Sequence, residues 1–311
     1  MSKILAVFGA TGQQGGSIIN FVLNNPSLSS QFSIRAITRD VNSAKAKQLS
    51  PKVTLIQGDV TDSASLIPAL EGVHTVFAMT TPSFGPLAVE TEFAAGKAIA
   101  DACLASKVSY LIFSTLPSIT ALSGGKYTKV TPFDAKAQIE TYIRSLPIKS
   151  AFFAGGFFME NFHAQPFLNP IKKDDGTYVL ARPASPKTLL PYLDATRDAG
   201  KFIGAILAEP ERFEGKTVHA AEGLYSFEDI AAILERTSGK KVVFEQIGRE
   251  AFEEGLPPFI AGLFADGICG LDEFGYFGKE TEQLVRVGRE GVKGELRGLE
   301  EFLKESPVVL E

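Results

Sequence analysis

Near the N-terminus a short apolar run, Ile4 to Phe8, breaks into Gly-Ala-Thr-Gly-Gln-Gln-Gly-Gly at residues 9–16 and resumes as a helix-compatible stretch from Ser17 to Leu23. Gly9, Gly12 and Gly15 therefore stand three apart between a predicted strand and a predicted helix. In that position the first glycine permits a tight turn and the second lets backbone approach a pyrophosphate. The third lets the helix pack closely on the strand, and the helix N-terminus faces the phosphates. Glycine triplets alone mark many plain turns, but strand, turn and helix in this order specify a dinucleotide site. Thr11, Gln13 and Gln14 add side-chain or backbone donors to the same turn.

The rest of the N-terminal half repeats the alternation. Phe32 to Thr38, Val53 to Gln57, Thr75 to Met79, Tyr110 to Thr115 and Ile148 to Ala154 read as strands, with helices beginning near Gly15, Ser43, Ser63, Ala88 and Pro132. Near-continuous apolar strands separated by helices indicate a parallel sheet covered on both faces, a Rossmann-type doubly wound α/β domain over residues 1–155. Beyond it Pro166, Pro170, Gly176, Pro183, Pro186 and Pro191 punctuate shorter segments. Residues 156–311 are expected to form a smaller α+β lobe, interleaved with segments that complete the sheet. Ser226 and Asp229 have the form of a capping box opening a helix from Phe227 to Thr237, and Gly239 supplies its stop.

Composition narrows the function. With a net charge of −5, the chain lacks the basic excess that coats nucleic acid. Cys103 and Cys269 have no His or Cys at ligand spacing, so neither a metal site nor a disulfide framework is indicated, and both are expected as buried thiols. No run is long enough to span a membrane and the N-terminus lacks the form of a signal peptide, so the expected compartment is the cytoplasm, with the nucleus as second choice.

The end of the second strand distinguishes NAD from NADP. An acidic residue there bonds the adenosine ribose hydroxyl, whereas arginine suits a 2′-phosphate. Thr38 and Arg39 occupy that end, with Lys45 and Lys47 nearby, so NADP(H) is the expected cofactor. Asp59 and Val60, after the third strand, are expected beside the adenine, and Thr80, after the fourth, toward the ribose and phosphates. Phe153 and Phe158, in a phenylalanine-rich stretch that follows and includes the sixth strand, are also expected at the cofactor. Other phenylalanines there are expected to line an apolar substrate cleft.

Taken together, GATGQQG, the Thr-Arg pair at Thr38 and Arg39, and the Gly-Asp pair at Gly58 and Asp59 resemble the NmrA-like family of atypical short-chain dehydrogenases/reductases. Further matches are FDAK at Phe133 to Lys136, FFMENF at Phe157 to Phe162, and the stretch from Leu190 to Leu207. The resemblance spans essentially the whole chain. It implies an NADP-binding Rossmann domain, a small C-terminal lobe, Lys136 facing the nicotinamide ribose, and a family divided between redox-sensing regulators and true reductases.

Ordinary short-chain dehydrogenases place a proton-donating tyrosine four residues before the lysine. Here that position is Pro132, and none of the seven tyrosines precedes a lysine at this spacing. Ser114, Thr115, Tyr127 and His163 are the substitute proton donors to test, and Lys136 and His163 form the candidate catalytic pair. The missing tyrosine favours a redox-sensing regulator that acts through a protein partner. The alternative is an NADPH-dependent reductase of a quinone or another apolar carbonyl compound.

Overall fold

A computed structural model describes residues 2–49, 51 and 53–310. Seven parallel strands form the central sheet: β1 (Lys3–Phe8), β2 (Phe32–Thr38), β3 (Val53–Gln57), β4 (Thr75–Ala78), β5 (Tyr110–Thr115), β6 (Lys149–Gly155) and β7 (Thr217–Ala220). Their spatial order is β7-β6-β5-β4-β1-β2-β3, so the winding reverses between β1 and β4. Ligands on such sheets bind beyond the carboxyl ends of the strands at that reversal.

Strand alternation sorts the core into two layers. Leu5, Val7, Ile34, Ile112 and Phe153 face one side, where helices α1 (Gln13–Asn24) and α4 (Ala195–Ala208) supply Ile18, Val22, Phe202 and Ile203. Ala6, Val76, Leu111, Phe113 and Phe152 face the other, covered by Ile99 and Cys103 of α2 (Ala88–Ala105) and by Ile139 and Ile143 of α3 (Thr131–Ser145). Every residue of β4 and β5 is buried, as the continuous apolar runs demand.

The C-terminal half contributes to both parts of the molecule. It sends α4 and β7 back to the central sheet. Its remaining strands form two three-stranded sheets, one joining Phe157–Phe158, Leu189–Leu193 and Gly223–Ser226, the other joining Ile171–Lys172, Tyr178–Arg182 and Val242–Gln246. Helices α5 (Phe227–Ser238) and α6 (Pro258–Phe274) pack on them. The capping box forms as read, with Ser226 accepting from the Asp229 N–H and Asp229 accepting from the Ser226 N–H, and Gly239 closes α5 at φ 67°.

Helix starts differ slightly from expectation. The first helix begins at Gln13 rather than beyond the third glycine, because the turn itself winds into helix. Cys103 is fully buried, and desolvation pushes its thiol up to about 12. Cys269 is only half-buried and lies 3.6 Å from the Pro183 carbonyl. Among the described residues no helix is long and apolar enough to cross a membrane.

Candidate active site

The glycine turn has the geometry that a pyrophosphate requires. Gly9 adopts φ +65°, a left-handed conformation that side chains disfavour, and its carbonyl accepts from the Gly12 N–H at 2.9 Å. A Cβ on Gly15 would lie 2.3 Å from the Gly9 carbonyl oxygen, so only glycine lets α1 come this close to the turn. The α1 N-terminus has no side-chain cap and no acidic residue in its first turn. Its N–H groups and positive dipole end are therefore left for an anion. Gln14 has a buried side-chain oxygen with no partner among the described residues. The exposed Gly12 and Gln13 and the half-buried Thr11 border the same turn. An uncapped helix start, a cradle that any Cβ would fill and an unpartnered amide together fit a dinucleotide.

Around it, Arg39 is exposed at the end of β2 and makes no hydrogen bond or ion pair among the described residues. Asp40, by contrast, is turned back onto its own loop and accepts from the Asn42 N–H at 2.8 Å. Asp59 accepts from the N–H and hydroxyl of Thr61 at 2.9 and 2.8 Å, which holds its carboxyl below the usual range. Arg39 adds a smaller Coulombic contribution in the same direction, which sets the two residues on one rim. Val60 is half-buried against the core beneath α2 and α3.

The end of β4 leads to a group that the sequence reading missed in part. Lys136, on α3, is 7% exposed, and its ammonium donates to the Thr80 carbonyl at 3.2 Å and the Thr80 hydroxyl at 3.1 Å. It also forms an ion pair with Glu92 of α2, which is 2% exposed. The Thr80 hydroxyl donates in turn to Glu92 Oε1 at 2.6 Å, while Glu92 Oε2 is buried with no partner among the described residues. Burial pulls the lysine below its usual pKa range, and the Glu92 carboxylate opposes that shift.

Helix packing creates this pair. A Cβ on Gly96 would lie 2.5 Å from Ile139, so α2 and α3 touch there. Glu92 stands one turn before Gly96, and Lys136 stands one turn before Ile139, so the same contact brings their side chains together. At the start of α3, Asp134 accepts from the Ser118 hydroxyl at 2.7 Å, the Thr120 N–H at 3.2 Å and the Thr120 hydroxyl at 2.5 Å. The FDAK element thus anchors its helix with the aspartate and places the lysine, two residues further on, in the buried pair.

Three expectations need correction. Phe153 is fully buried and packs edge-on against Phe202 at 6.3 Å, so it is core between β6 and α4 and not a cofactor contact. His163 is exposed, with Nε2 at 3.2 Å from the Ser306 carbonyl oxygen and 3.1 Å from its hydroxyl. Its ring tilts against Phe302, so it serves the C-terminal segment and shares no hydrogen bond with Lys136 or Thr80. Tyr127 gives its hydroxyl to Glu273 at 2.5 Å, which ties it to α6. Phe158, partly buried, remains beside the loop after β6, where its ring edge limits the space over Gly155. Ser114 and Thr115 are buried at the end of β5, and Thr115 reaches the Lys136 carbonyl at 3.4 Å.

Glu92 was absent from the sequence-based candidates. A signal existed: Glu92, Gly96, Ile99 and Cys103 follow helical spacing along one buried face of α2. A lone acid in such a stripe needs a partner.

Known proteins share both the sequence pattern and the fold. The NmrA-like family profile matches residues 1–303. An NmrA-like family domain-containing oxidoreductase, FrzB of Cladobotryum sp, is 31% identical over 277 residues, covering 83% of this chain and 81% of the relative. The crystal structure of NmrA, a negative transcriptional regulator, in complex with NADP shares the fold at TM-score 0.77 and 24% identity, over 98% of this chain and 95% of that one. The NADPH complex of the quinone oxidoreductase QOR2 from Escherichia coli shares it at TM-score 0.74 and 22% identity, over 97% and 99%. The glycine turn, the Arg39 rim and the FDAK lysine thus sit in a chain that belongs to the NmrA-like family.

Proposed function

We propose that this chain binds NADP(H) across the glycine turn and acts as a reductase of a planar, apolar acceptor such as a quinone. Gly9, Gly12, Gly15 and the α1 N-terminus would hold the pyrophosphate, and Arg39 the 2′-phosphate, with Asp59 and Val60 bordering the adenine. Bound reduced nicotinamide supplies a hydride. The observation that carries the catalytic reading is the Lys136–Glu92 pair. Burying two charges costs several kcal/mol per ion before their attraction offsets it, and plain core packing would avoid that cost. The pair lies at the carboxyl end of the central strands, on the side of the sheet reversal where ligands bind. A lysine whose pKa is lowered by burial holds a proton at Nζ that it can pass to an acceptor oxygen. Glu92 and Thr80 orient that ammonium and keep it from swinging into solvent.

A second reading, a redox-sensing regulator that changes its hold on a protein partner, rests on Pro132 in place of the expected tyrosine and on the commitment of Tyr127 to Glu273. Calorimetric titration with NADP, NADPH, NAD and NADH, followed by NADPH absorbance against a quinone panel, separates the two. The reductase consumes NADPH when acceptor is added, and Lys136→Ala lowers turnover by roughly 10²-fold or more while the protein stays folded. Tight NADPH binding with no consumption across the panel leaves the regulator.

A further inference from the structure

The lobe encloses a second buried cation. Arg182, the last residue of the strand Tyr178–Arg182, is 8% exposed and lines a cavity of about 30 Å³. Its guanidinium donates to the Ala181 carbonyl at 2.7 Å and to the Leu168 carbonyl, and its face lies 5.6 Å from the Phe252 ring centroid. No carboxylate pairs with it among the described residues. A guanidinium carries five N–H donors and a full charge, and two neutral carbonyls satisfy only part of either. Desolvation accordingly lowers its pKa to about 10.

The walls of the cavity are aromatic and apolar. Phe162 stacks on Tyr192 at 5.8 Å and 13°, and Phe157 meets Tyr192 edge-on at 5.6 Å. Asn169, also lining it, has a buried Oδ1 without a partner among the described residues. Phe157 and Asn161, both half-buried, also line it, and they belong to the segment that follows β6. Arg182 therefore shares one cavity with the segment that follows β6. That space admits a group the size of a carboxylate and is too small for a ring.

We propose that Arg182 is the anchor for the carboxylate of a small aromatic acid, whose ring stays outside the cavity against the half-buried Phe157. This rests on the reductase reading of the neighbouring site and gives its substrate a charged end. A planar guanidinium recognises a carboxylate through paired N–H donors, and in an apolar cavity that contact is worth more than on the surface.

The test uses 4-hydroxybenzoate and its neutral amide as probes, titrated calorimetrically into the full-length protein with and without saturating NADP. The acid is expected to bind at least about tenfold more tightly than the amide. Arg182→Met should remove that preference without changing the affinity for NADP. Equal binding of acid and amide to the unsubstituted protein, or binding of neither, overturns the proposal. That comparison needs no variant, so it decides the matter even if Arg182→Met fails to fold. Failure to bind NADP would overturn the cofactor reading instead, and the acid-to-amide ratio measured without NADP would still decide this one.

Discussion

Lys136 and Arg182 are buried to nearly the same extent, at 7% and 8% exposed, yet their charges are balanced in opposite ways. Lys136 sits between two packed helices and meets a carboxylate, a hydroxyl and a carbonyl. Arg182 sits at a strand end in the lobe and, among the described residues, meets backbone carbonyls and an aromatic face but no carboxylate. The first arrangement completes a charge within the protein and leaves Glu92 Oε2 without a partner among the described residues. The second leaves the charge itself unpaid, which makes it a receptor for an anion. Burial alone therefore does not distinguish a proton-holding group from a recognition group. The partner does.

Removing that partner at Lys136 is the most direct way to break the contrast, because Glu92→Ala turns the first cation into a copy of the second. Loss of one member of a buried pair leaves an uncompensated charge, and the expected cost is about 3–5 kcal/mol of unfolding free energy. Urea denaturation at pH 7 measures it. The pH dependence follows from the lowered lysine pKa, which falls further without Glu92. Between the folded value and the unfolded value of about 10.4, the unfolded chain binds more protons, so stability rises with pH. The deficit of the variant should therefore be largest near neutrality and shrink as pH is raised toward about 10. A deficit that is the same at both ends of that range would mean that Glu92 stabilises through packing and not through charge.

Arg39 extends the comparison to an exposed cation with no partner among the described residues. Arg39→Glu reverses the charge offered to a 2′-phosphate and should weaken NADP binding by about tenfold or more, leaving NAD within about twofold. Calorimetry with both cofactors checks this. Equal losses for the two would place Arg39 elsewhere than at the phosphate.

The three cations differ in how much of them could be read from the chain. Arg39 was legible because it follows a strand whose position in the alternation is unmistakable, and its role depends on local order alone. Lys136 was legible as a residue through the FDAK match, but its partner was not. Glu92 lies 44 positions away in sequence, and the contact depends on Gly96 meeting Ile139 across two helices. Only the acid's place on a buried helical stripe hinted at it. Arg182 gave no signal, since a basic residue ending a short strand reads as surface, and its burial comes from two short helical segments that close over it, Pro166–Leu168 and Arg249–Glu254, through Leu168 and Phe252. The fold followed the same gradient. Six of the seven strands of the central sheet, β1 to β6, agree with the sequence reading to within about a residue at each end, because continuous apolar runs leave little choice, whereas β7, which returns from the C-terminal half, was not located in the sequence. Phe153 was misassigned because strand alternation, which points it at Phe202, was outweighed by its nearness to a functional loop.

His163 provides the smallest expected effect and the sharpest check on that gradient. It was singled out because it follows the Glu160-Asn161-Phe162 segment and is one of only three histidines, a purely local argument. In the folded chain its ring turns away to Ser306 and Phe302 and stays exposed. An exposed side chain with one outward partner contributes little, so His163→Ala should change turnover and cofactor affinity by no more than about twofold. Steady-state NADPH oxidation across pH 5.5 to about 8 is the informative measurement, since a histidine proton donor would leave an inflection in that range that the variant abolishes. If the inflection is present and disappears in His163→Ala, the proton comes from the lobe surface, and the buried lysine is reduced to a cofactor clamp. If the profile is unchanged by the substitution, the proton source lies with the group that helix packing assembled, Lys136 and Glu92.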